Sequence, residues 1–283
     1  MGKFFEALRK AEKLQDRTSA KKDPKKVVNI LADEIQALSL DSEPFGHSAA
    51  SPREFNGRLD PMLVSLLDPQ SVIAEQFKML RAKIFTQKMG HGPLTIMVTS
   101  PQALDGKSMV SANLAVAIAQ GINEYVLLVD CDLRRPAQQR LFGLQAGQGL
   151  REYLEVGTSV GPYLQKTTVQ KLTLLPAGQP PPNPTELLSS EKMGQLIEEL
   201  KNRYQDRHII FDTAPASFAA ESSFLSAMTD GILLVVRSGK TGLQTLMEAA
   251  GHLQRDKILG VVFNGYSKAH KDYEKYYRKY YRQ

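Results

Sequence analysis

The stretch LTIMVTSPQALDGKSMVSANL, from Leu94 to Leu114, joins an apolar run to a short turn and then to a helical pattern. Apolar residues dominate its first five positions, which predicts a buried strand, and they recur after the turn at the spacing of a helix. The first N–H groups of such a helix have no intrahelical partner, and the helix dipole adds partial positive charge there. A strand, a turn and a helix in this order therefore predict a site for a phosphate group.

Three residues of this stretch carry the prediction of phosphate binding. Gly106 opens the helix, and we expect Lys107 to reach the β- and γ-phosphates of a nucleotide while the Ser108 hydroxyl ligates Mg2+. The strict pattern GxxxxGK[ST] requires a glycine where Pro101 stands. Taken alone, the stretch leaves a second interpretation open, in which Gly-Lys-Ser simply begins a helix.

The composition is that of a soluble globular protein. Of the 283 residues, 42% are apolar and 23% are charged, which suits one α/β domain with extensions. The 36 basic residues exceed the 30 acidic ones by a net charge of +6, too little to indicate a nucleic-acid partner. The single cysteine, Cys131, cannot form an internal disulfide, which favours a reducing cytoplasm. No apolar run approaches the roughly 20 residues of a membrane-spanning helix.

Residues 1 to 70 predict an N-terminal extension, made of an amphipathic helix and a polar linker. The helix is predicted over KFFEALRKAEKLQDR, residues 3 to 17, where basic residues surround one apolar face formed by Phe4, Phe5, Leu8, Ala11 and Leu14. Such a face would dock on a membrane surface, on a partner or on the chain's own domain. The polar residues that follow, rich in Ser, Pro, Asp and Lys, predict the linker.

A second helix is predicted over SVIAEQFKMLRAKIFTQK, residues 71 to 88. Its apolar positions recur at helical spacing and are Ile73, Phe77, Leu80 and Ile84. On the polar face Glu75, Lys78 and Arg81 line up, since each is three residues from the next. These charges predict either a solvated face or a seam of ion pairs between subunits.

Two further apolar runs end in aspartates. One is followed by Asp130-Cys131-Asp132 and the other by Asp212. Residues two apart in an extended segment share a face, so Asp130 and Asp132 can point at one spot. Carboxylates at the ends of strands, opposite a phosphate site, predict Mg2+ binding and proton acceptance. The alternative is that strand-end aspartates only cap turns.

Strand and helix patterns alternate over residues 71 to 265, which we take as the catalytic domain. Further apolar runs lie at 172 to 175, 231 to 236 and 258 to 263. In PAGQPPPNPTELL, prolines forbid regular structure until a helix begins near Thr185. Repeated strand–helix units predict an α/β fold with a mostly parallel sheet, helices on both faces, and a ligand at the carboxyl ends of the strands.

The C-terminal tail, residues 266 to 283, holds six of the ten tyrosines. Five of them follow helical spacing, yet the tail has no Leu, Ile or Phe, which a packing face normally includes. Only the phenol hydroxyl distinguishes Tyr from Phe, so this composition predicts chemistry at that oxygen. The predicted phosphorylation sites are Tyr273, Tyr276, Tyr277, Tyr280 and Tyr281.

Together these motifs resemble those of the bacterial tyrosine kinases of capsule and exopolysaccharide synthesis, cytoplasmic autokinases related to MinD- and ParA-like P-loop ATPases. The resemblance covers roughly residues 70 to 283. Its motifs are SPQALDGKS (100 to 108) as a modified Walker A loop, LLVDCDLRRP (127 to 136) as a second aspartate motif, and IIFDTAP (209 to 215) as Walker B. The tyrosine tail and LPAGQPPPNPTELL (175 to 188) are further marks of the family.

The resemblance implies a P-loop fold and transfer of the ATP γ-phosphoryl group to tail tyrosines of a neighbouring subunit. The implied catalytic residues, with Asp130 preferred to Asp132 as the base, are Lys107, Asp130, Asp132 and Asp212. The implied nucleotide-binding residues, the last at the adenine, are Asp105, Gly106, Lys107, Ser108, Met109 and Asn264. The implied Mg2+ ligands are Ser108, Asp130 and Asp212.

The resemblance also implies assembly and partners. In the family a Glu-x-x-Arg-x-x-Arg helix joins subunits into a ring, and Glu75, Lys78 and Arg81 occupy these positions. A membrane chain-length determinant or co-polymerase would activate the kinase, a protein-tyrosine phosphatase would reverse the reaction, and no nucleic acid would take part. The protein would then be cytoplasmic, held at the inner face of the cell membrane by its partner.

Two positions depart from the family pattern. Lys78 replaces an arginine and loses bidentate pairing. Leu104 replaces a glycine of the phosphate loop, and a leucine held at positive φ would be strained by roughly 1 to 2 kcal/mol. Two other functions stay open at this point. One is a MinD- or ParA-like ATPase switch, whose second lysine is missing here, and the other is a pseudokinase adaptor in which Leu104 has abolished catalysis.

Overall fold

The computed structural model describes residues 57 to 87, 92 to 203, 206 to 217 and 220 to 266. The predicted amphipathic helix, most of the predicted linker and the tail from residue 267 lie outside these ranges, and so do the five predicted phosphorylation sites. The chain divides into two compact units, residues 1 to 49 and 50 to 283, and the described residues all belong to the second.

A seven-stranded sheet forms the centre of this second unit. Its strands are β1 (Thr95–Thr99), β2 (Tyr125–Asp130), β3 (Gln165–Lys166), β4 (Leu172–Leu175), β5 (Arg207–Asp212), β6 (Gly231–Arg237) and β7 (Ile258–Asn264). They lie in the order β3-β4-β2-β5-β1-β6-β7, and every pairing is parallel except that of β3 with β4. The predicted α/β fold with a mostly parallel sheet is confirmed. The two-residue strand β3 was not predicted, because so short a strand leaves no apolar pattern.

Helices provide the crossover connections that parallel strands require. In chain order they are α1 (Val64–Leu67), α2 (Val72–Gln87), α3 (Lys107–Ala119), α4 (Gln138–Leu141), α5 (Leu150–Val156), α6 (Pro184–Leu188), α7 (Glu191–Arg203), α8 (Glu221–Met228) and α9 (Leu243–Gly251). None of them is both long enough and apolar enough to cross a bilayer, and this holds for the described residues alone.

Strand β1 and helix α3 occupy the middle of the core. β1 lies between β5 and β6, and each of its five residues is buried. In α3 every residue from Val110 to Ala119 is buried, so this helix is enclosed on all sides rather than amphipathic. The start of α3, where the phosphate site is predicted, is therefore fixed by the best-packed part of the domain.

The sequence predicted that the catalytic domain starts at residue 71. In the structure, residues before position 71 also pack into the core. Leu63 is fully buried, and the backbone N–H of Ser65 donates to Oδ1 of Asn113 at 2.8 Å. The Asn113 amide also donates to the carbonyl of Met62 at 2.8 Å. A four-residue helix such as α1 is too short to show helical periodicity, so its packing cannot be inferred from the sequence pattern.

Helix α2 carries the three charged residues of the predicted polar face. Within the helix, Nζ of Lys78 lies 3.2 Å from Oε2 of Glu75. Arg81 instead donates from Nη1 to the carbonyl oxygen of Ala117 at 2.6 Å. Ala117 lies in the last turn of α3, where carbonyls lack intrahelical partners and favour a cation. Arg81 thus ties α2 to the far end of α3, while the role of these residues in subunit assembly stays a prediction.

His208 of β5 connects α2 to the sheet. Its Nδ1 accepts a hydrogen bond from the backbone N–H of Leu94 at 3.0 Å, and its ring stacks on Phe85 with the centroids 4.6 Å apart. Burial lowers the pKa of His208 below its usual value, and the charge of Glu124 opposes this effect in part. The neutral imidazole is therefore the form that the fold uses, since a protonated Nδ1 could not accept.

We predict a specific loss of stability in acid. Because the pKa of His208 is lower in the folded than in the unfolded chain, its contribution is complete above the unfolded pKa of about 6.5 and is lost as the pH falls through the folded pKa. We expect the free energy of unfolding to decrease between about pH 7 and about pH 5. The decrease should be smaller in His208→Gln, which keeps an acceptor but does not titrate.

Urea unfolding across this pH range measures the effect, and His252→Gln is the matched control because His252 is an exposed histidine. If both variants lost stability with pH as the unmodified protein does, His208 would not be the titrating group.

Candidate active site

The ends of three neighbouring strands bring the predicted residues together. Asp130 of β2 lies opposite Asp212 of β5, and Val98 of β1 lies on the other side of Asp212. Parallel strands present their carboxyl ends at one edge of the sheet. The turn between β1 and α3 therefore lies at the same edge as the aspartates that were predicted from separate motifs.

The phosphate loop, residues 100 to 106, contains two residues with left-handed backbone. Gly106 has a φ of 96°, and a Cβ at this position would lie 1.9 Å from Nδ2 of Asn264. Glycine is therefore required both by conformation and by space. Leu104 has a φ of 68° and is the only non-glycine residue with positive φ in the described part of the chain. The strain expected from the replacement of glycine thus falls on Leu104, a residue that is 89% exposed.

Asp105 braces this loop from inside. Its buried carboxylate accepts hydrogen bonds from Oγ1 of Thr241 at 2.7 Å and from the backbone N–H of Gln102 at 3.3 Å. Its carbonyl oxygen accepts from Nδ2 of Asn264 at 2.8 Å. The sequence placed Asp105 and Asn264 among the nucleotide-binding residues, and in this structure both hold the loop in shape. Thr241 was not predicted, because nothing in its local sequence marks it.

Lys107 is enclosed by carboxylates. Its Nζ lies 2.7 Å from Oδ2 of Asp132 and 3.2 Å from Oγ of Ser108. Burial alone would lower the pKa of Lys107, but the charges of Asp212 and Asp132 outweigh it and raise the pKa above its usual value. The ammonium group is thus firmly charged, as phosphate binding requires.

Asp212 is held by neutral donors. Its Oδ2 accepts from Nε2 of Gln138 at 2.7 Å and its Oδ1 from Oγ of Ser111 at 3.1 Å. Burial raises the pKa of Asp212, while the charge of Lys107 and the hydrogen bond from Gln138 oppose that rise. Gln138 and Ser111 were not predicted, because both contact Asp212 across a long stretch of sequence.

The Asp130 carboxylate accepts hydrogen bonds from backbone amides. Oδ2 accepts from the N–H groups of Ala137 and Gln138, each at 3.0 Å, and Oδ1 accepts from that of Asp132 at 3.2 Å. Burial raises the pKa of Asp130, and the charge of Asp212 adds to this effect. Asp130 therefore caps the turn after β2, which is the alternative role that the sequence left open for strand-end aspartates. It also lies beside the other two carboxylates.

The proline-containing stretch reaches the same edge of the sheet. Thr185, in α6, donates to Oε2 of Glu221 at 3.0 Å and accepts from Nη2 of Arg134 at 2.6 Å. Glu221 is 1% exposed and begins α8. These contacts join the segments that follow β2, β4 and β5, so one border of the site is cross-linked by side chains.

The donor set suits a nucleotide with Mg2+. The start of α3 and the Lys107 ammonium provide positive charge for phosphates. The Ser108 hydroxyl and the Asp212 carboxylate are oxygen ligands of the kind Mg2+ prefers. Within the described ranges no three acidic, histidine or cysteine side chains form a complete metal cluster. Mg2+ at nucleotide sites commonly takes its remaining ligands from phosphates and water.

Met109, the last predicted nucleotide-binding residue, lies half-buried in the first turn of α3. Its carbonyl accepts a hydrogen bond from Nδ2 of Asn113 at 2.9 Å. The structure thus gathers the predicted phosphate-loop residues and the three aspartates at one edge. Their assigned roles stay predictions, and the tail tyrosines from Tyr273 onward lie outside the described residues.

We predict that Leu104→Gly tightens nucleotide binding. Removing the Cβ relieves a left-handed strain of roughly 1 to 2 kcal/mol, and about 1.4 kcal/mol corresponds to a tenfold change in affinity. We therefore expect the Kd for ATP, measured by fluorescence titration, to fall by up to about tenfold. Leu104→Ala is the matched control, because it shortens the exposed side chain but keeps the Cβ. If Leu104→Gly and Leu104→Ala bound ATP equally tightly, the change in affinity would come from shortening the side chain and not from the positive φ.

Comparison with known proteins places this site in a family. Residues 96 to 282 match the model described as the CobQ/CobB/MinD/ParA nucleotide binding domain. Tyrosine-protein kinase YwqD of Bacillus subtilis is 34% identical over 222 residues, covering 77% of this chain and 92% of that protein. Tyrosine-protein kinase CpsD of Streptococcus agalactiae is 29% identical over 205 residues, covering 71% and 87%.

Among solved structures, the kinase domain of the Escherichia coli tyrosine kinase ETK has a TM-score of 0.68 at 29% identity, covering 73% of this chain and 80% of that one. The resemblance seen in the motifs is thereby confirmed. The chain belongs to the bacterial tyrosine-protein kinases and is a protein-tyrosine kinase built on the nucleotide-binding domain of MinD and ParA.

Proposed function

We propose that this kinase transfers the γ-phosphoryl group of ATP to the C-terminal tyrosines of a second copy of itself. The observation that carries the proposal is the gathering of Lys107 and three buried aspartates at the sheet edge where β7 ends. The strand β7 ends at Asn264, and the tyrosine-rich tail follows from residue 266. The acceptor segment is therefore attached to the edge that holds the candidate site.

In this proposal Lys107 leaves Asp132 and donates to phosphate oxygens. The N–H groups at the start of α3 bind the same phosphates, and the turn at Gly106 lets the backbone approach them. Bound Mg2+ would neutralise phosphate charge, held by the Ser108 hydroxyl with the Asp130 and Asp212 carboxylates. Phosphoryl transfer needs little covalent participation from the protein, so positioning and charge provide most of the rate.

The chemical step takes a proton from the acceptor. The tyrosine Oη attacks the γ-phosphorus, the bond from that phosphorus to the bridging oxygen breaks, ADP leaves, and the phenol proton passes to a carboxylate. We propose Asp130 as the base, with Asp132 as the alternative. Asp130 is held by neutral backbone amides. Asp132 is the alternative because Lys107, which lies 2.7 Å from it in this structure, would leave it for the phosphates.

Transfer between two copies is supported by the attachment of the tail. Asn264 itself donates to the phosphate loop, so the chain leaves the domain beside its own site. The tail from 266 to 282 carries six basic residues against two acidic ones, and positive charge is attracted to a site with three carboxylates. A tail from a neighbouring copy can approach that site from solvent without folding back sharply.

The wider setting is proposed from the family. We infer a role in capsule or exopolysaccharide synthesis and export, with assembly into a homo-oligomeric ring through α2. A membrane co-polymerase or chain-length determinant would be the activator, and a protein-tyrosine phosphatase would remove the phosphate. The kinase would then work in the cytoplasm, at the inner face of the membrane.

One observation favours a second candidate function. Leu104 occupies a strained backbone position in the phosphate loop, and weak nucleotide binding would suit a pseudokinase adaptor of the membrane partner. The MinD- or ParA-like switch is less well supported, since it gives the tyrosine tail no role. Phosphate found on the tail after incubation with Mg-ATP would exclude both alternatives.

We predict that Lys107→Met abolishes autophosphorylation without unfolding the domain. The methionine retains the apolar stem but removes the charge that meets the phosphates. Incubation with Mg-ATP followed by mass spectrometry should locate phosphate on tail tyrosines in the unmodified protein and none in the variant. Lys240→Met, at an exposed lysine, is the matched control and should stay active. An undiminished rate in Lys107→Met would refute the proposed site.

We also predict that phosphate moves between copies. A variant with Phe at all five predicted tail tyrosines keeps its site but cannot accept, and Lys107→Met can accept but not catalyse. When the two are mixed, Lys107→Met should gain phosphate at a rate that rises with the concentration of the Phe variant. Two results together would instead indicate transfer within one chain. The mixture would show no transfer, and the unmodified protein would phosphorylate its tail at a rate per molecule that does not depend on concentration.

A further inference from the structure

Gln138 lies at the junction of the three motifs that form the candidate site. It is the first residue of α4, and its side chain is completely buried. The turn after β2 brings it back toward the carboxyl ends of β2 and β5. No local sequence pattern marks it, and none of the roles assigned above belongs to it.

The side-chain amide of Gln138 uses both of its hydrogens within this site. Nε2 donates to Oδ2 of Asp212 at 2.7 Å and to the carbonyl oxygen of Ser108 at 3.1 Å. The backbone N–H of Gln138 donates to Oδ2 of Asp130 at 3.0 Å. One residue thus contacts the start of α3 and the aspartates at the ends of two strands.

The amide oxygen of Gln138 has no such partner. Oε1 is buried and accepts no hydrogen bond from any described residue. A buried acceptor without a partner is unfavourable, and an exception of this kind requires an explanation. Turning the amide over would place Oε1 against the Asp212 carboxylate and the Ser108 carbonyl, both of which are acceptors. The Gln138 amide is therefore oriented so that Nε2 donates to these two oxygens, and Oε1 is left without a donor.

We propose that Gln138 is a positioning residue that sets the distance and direction of Asp212 relative to Ser108. These two residues are the proposed Mg2+ ligands on α3 and β5, so the inference rests on the proposed function. The Gln138 amide bridges them through one rigid planar group. Without it, the Asp212 carboxylate would keep the hydrogen bond from Ser111 at 3.1 Å and could rotate about it.

The test replaces Gln138 by methionine, which has a similar length and no donor. Met removes the unpartnered oxygen, but it also leaves Oδ2 of Asp212 and the Ser108 carbonyl without the Gln138 donor. We therefore expect the thermal unfolding temperature of the nucleotide-free protein to fall moderately, with the protein still folded at the assay temperature. We expect kcat for tail phosphorylation to fall by about 10- to 100-fold, the usual effect of losing a residue that orients a metal ligand. The KM for ATP should change much less, and the Mg2+ concentration that half-saturates binding of a fluorescent ATP analogue should rise.

Two further variants make the test specific. Gln139→Met is the matched control, because Nε2 of Gln139 donates to the carbonyl of Gln145 at 2.9 Å, away from the aspartates. It should leave kcat and the Mg2+ requirement unchanged. Gln138→His restores one ring N–H donor and should recover part of the lost rate.

The opposite results would overturn the inference. If Gln138→Met kept full kcat, or if it lost activity only in proportion to a lowered unfolding temperature, Gln138 would have a purely structural role. The variant Asp212→Asn distinguishes a failure of the positioning role of Gln138 from a failure of the proposed active site. Full activity in Asp212→Asn would refute the site itself, whereas an inactive Asp212→Asn beside a fully active Gln138→Met would refute the positioning role alone.

Discussion

The concentration of negative charge at one edge of the sheet is the constraint on which the site depends. Asp130, Asp132 and Asp212 are almost entirely buried, and the nearest ammonium group is that of Lys107. Buried carboxylates are unfavourable unless they are paired or hydrogen-bonded. The fold meets this requirement in three ways: with backbone amides at Asp130, with a cation at Asp132, and with neutral side chains at Asp212.

These compensating contacts are possible because the surrounding backbone is rigid. Helix α3 is buried along most of its length, and β1, β2 and β5 are paired in parallel at the centre of the sheet. Charges held on such elements keep their directions before any ligand arrives, so little reorganisation is needed during reaction. The segments that follow β2, β4 and β5 are then cross-linked at the border of the site by Arg134, Thr185 and Glu221.

The sequence predicted the elements that have a local pattern and missed those that depend on distant contacts. Apolar runs located the long strands, and the loop and aspartate motifs located Lys107 and Asp212. Leu104 was expected to be strained because it replaces a glycine, and its φ is positive. Gln138 and Thr241 were not found, because their partners lie 74 and 136 residues away in the chain. Only the folded structure brings those residues together.

Asn264 gives the tail an unexpected relation to the phosphate loop. It is the last residue of β7, and its side chain donates to the carbonyl of Asp105 at 2.8 Å. Gly265 follows with a φ of 75°, and the tail begins after it. Tyr266, the first residue of the tail, is therefore connected to the phosphate loop through two residues and one hydrogen bond. A force on Tyr266 would therefore act on the backbone of the phosphate loop through the side chain of Asn264.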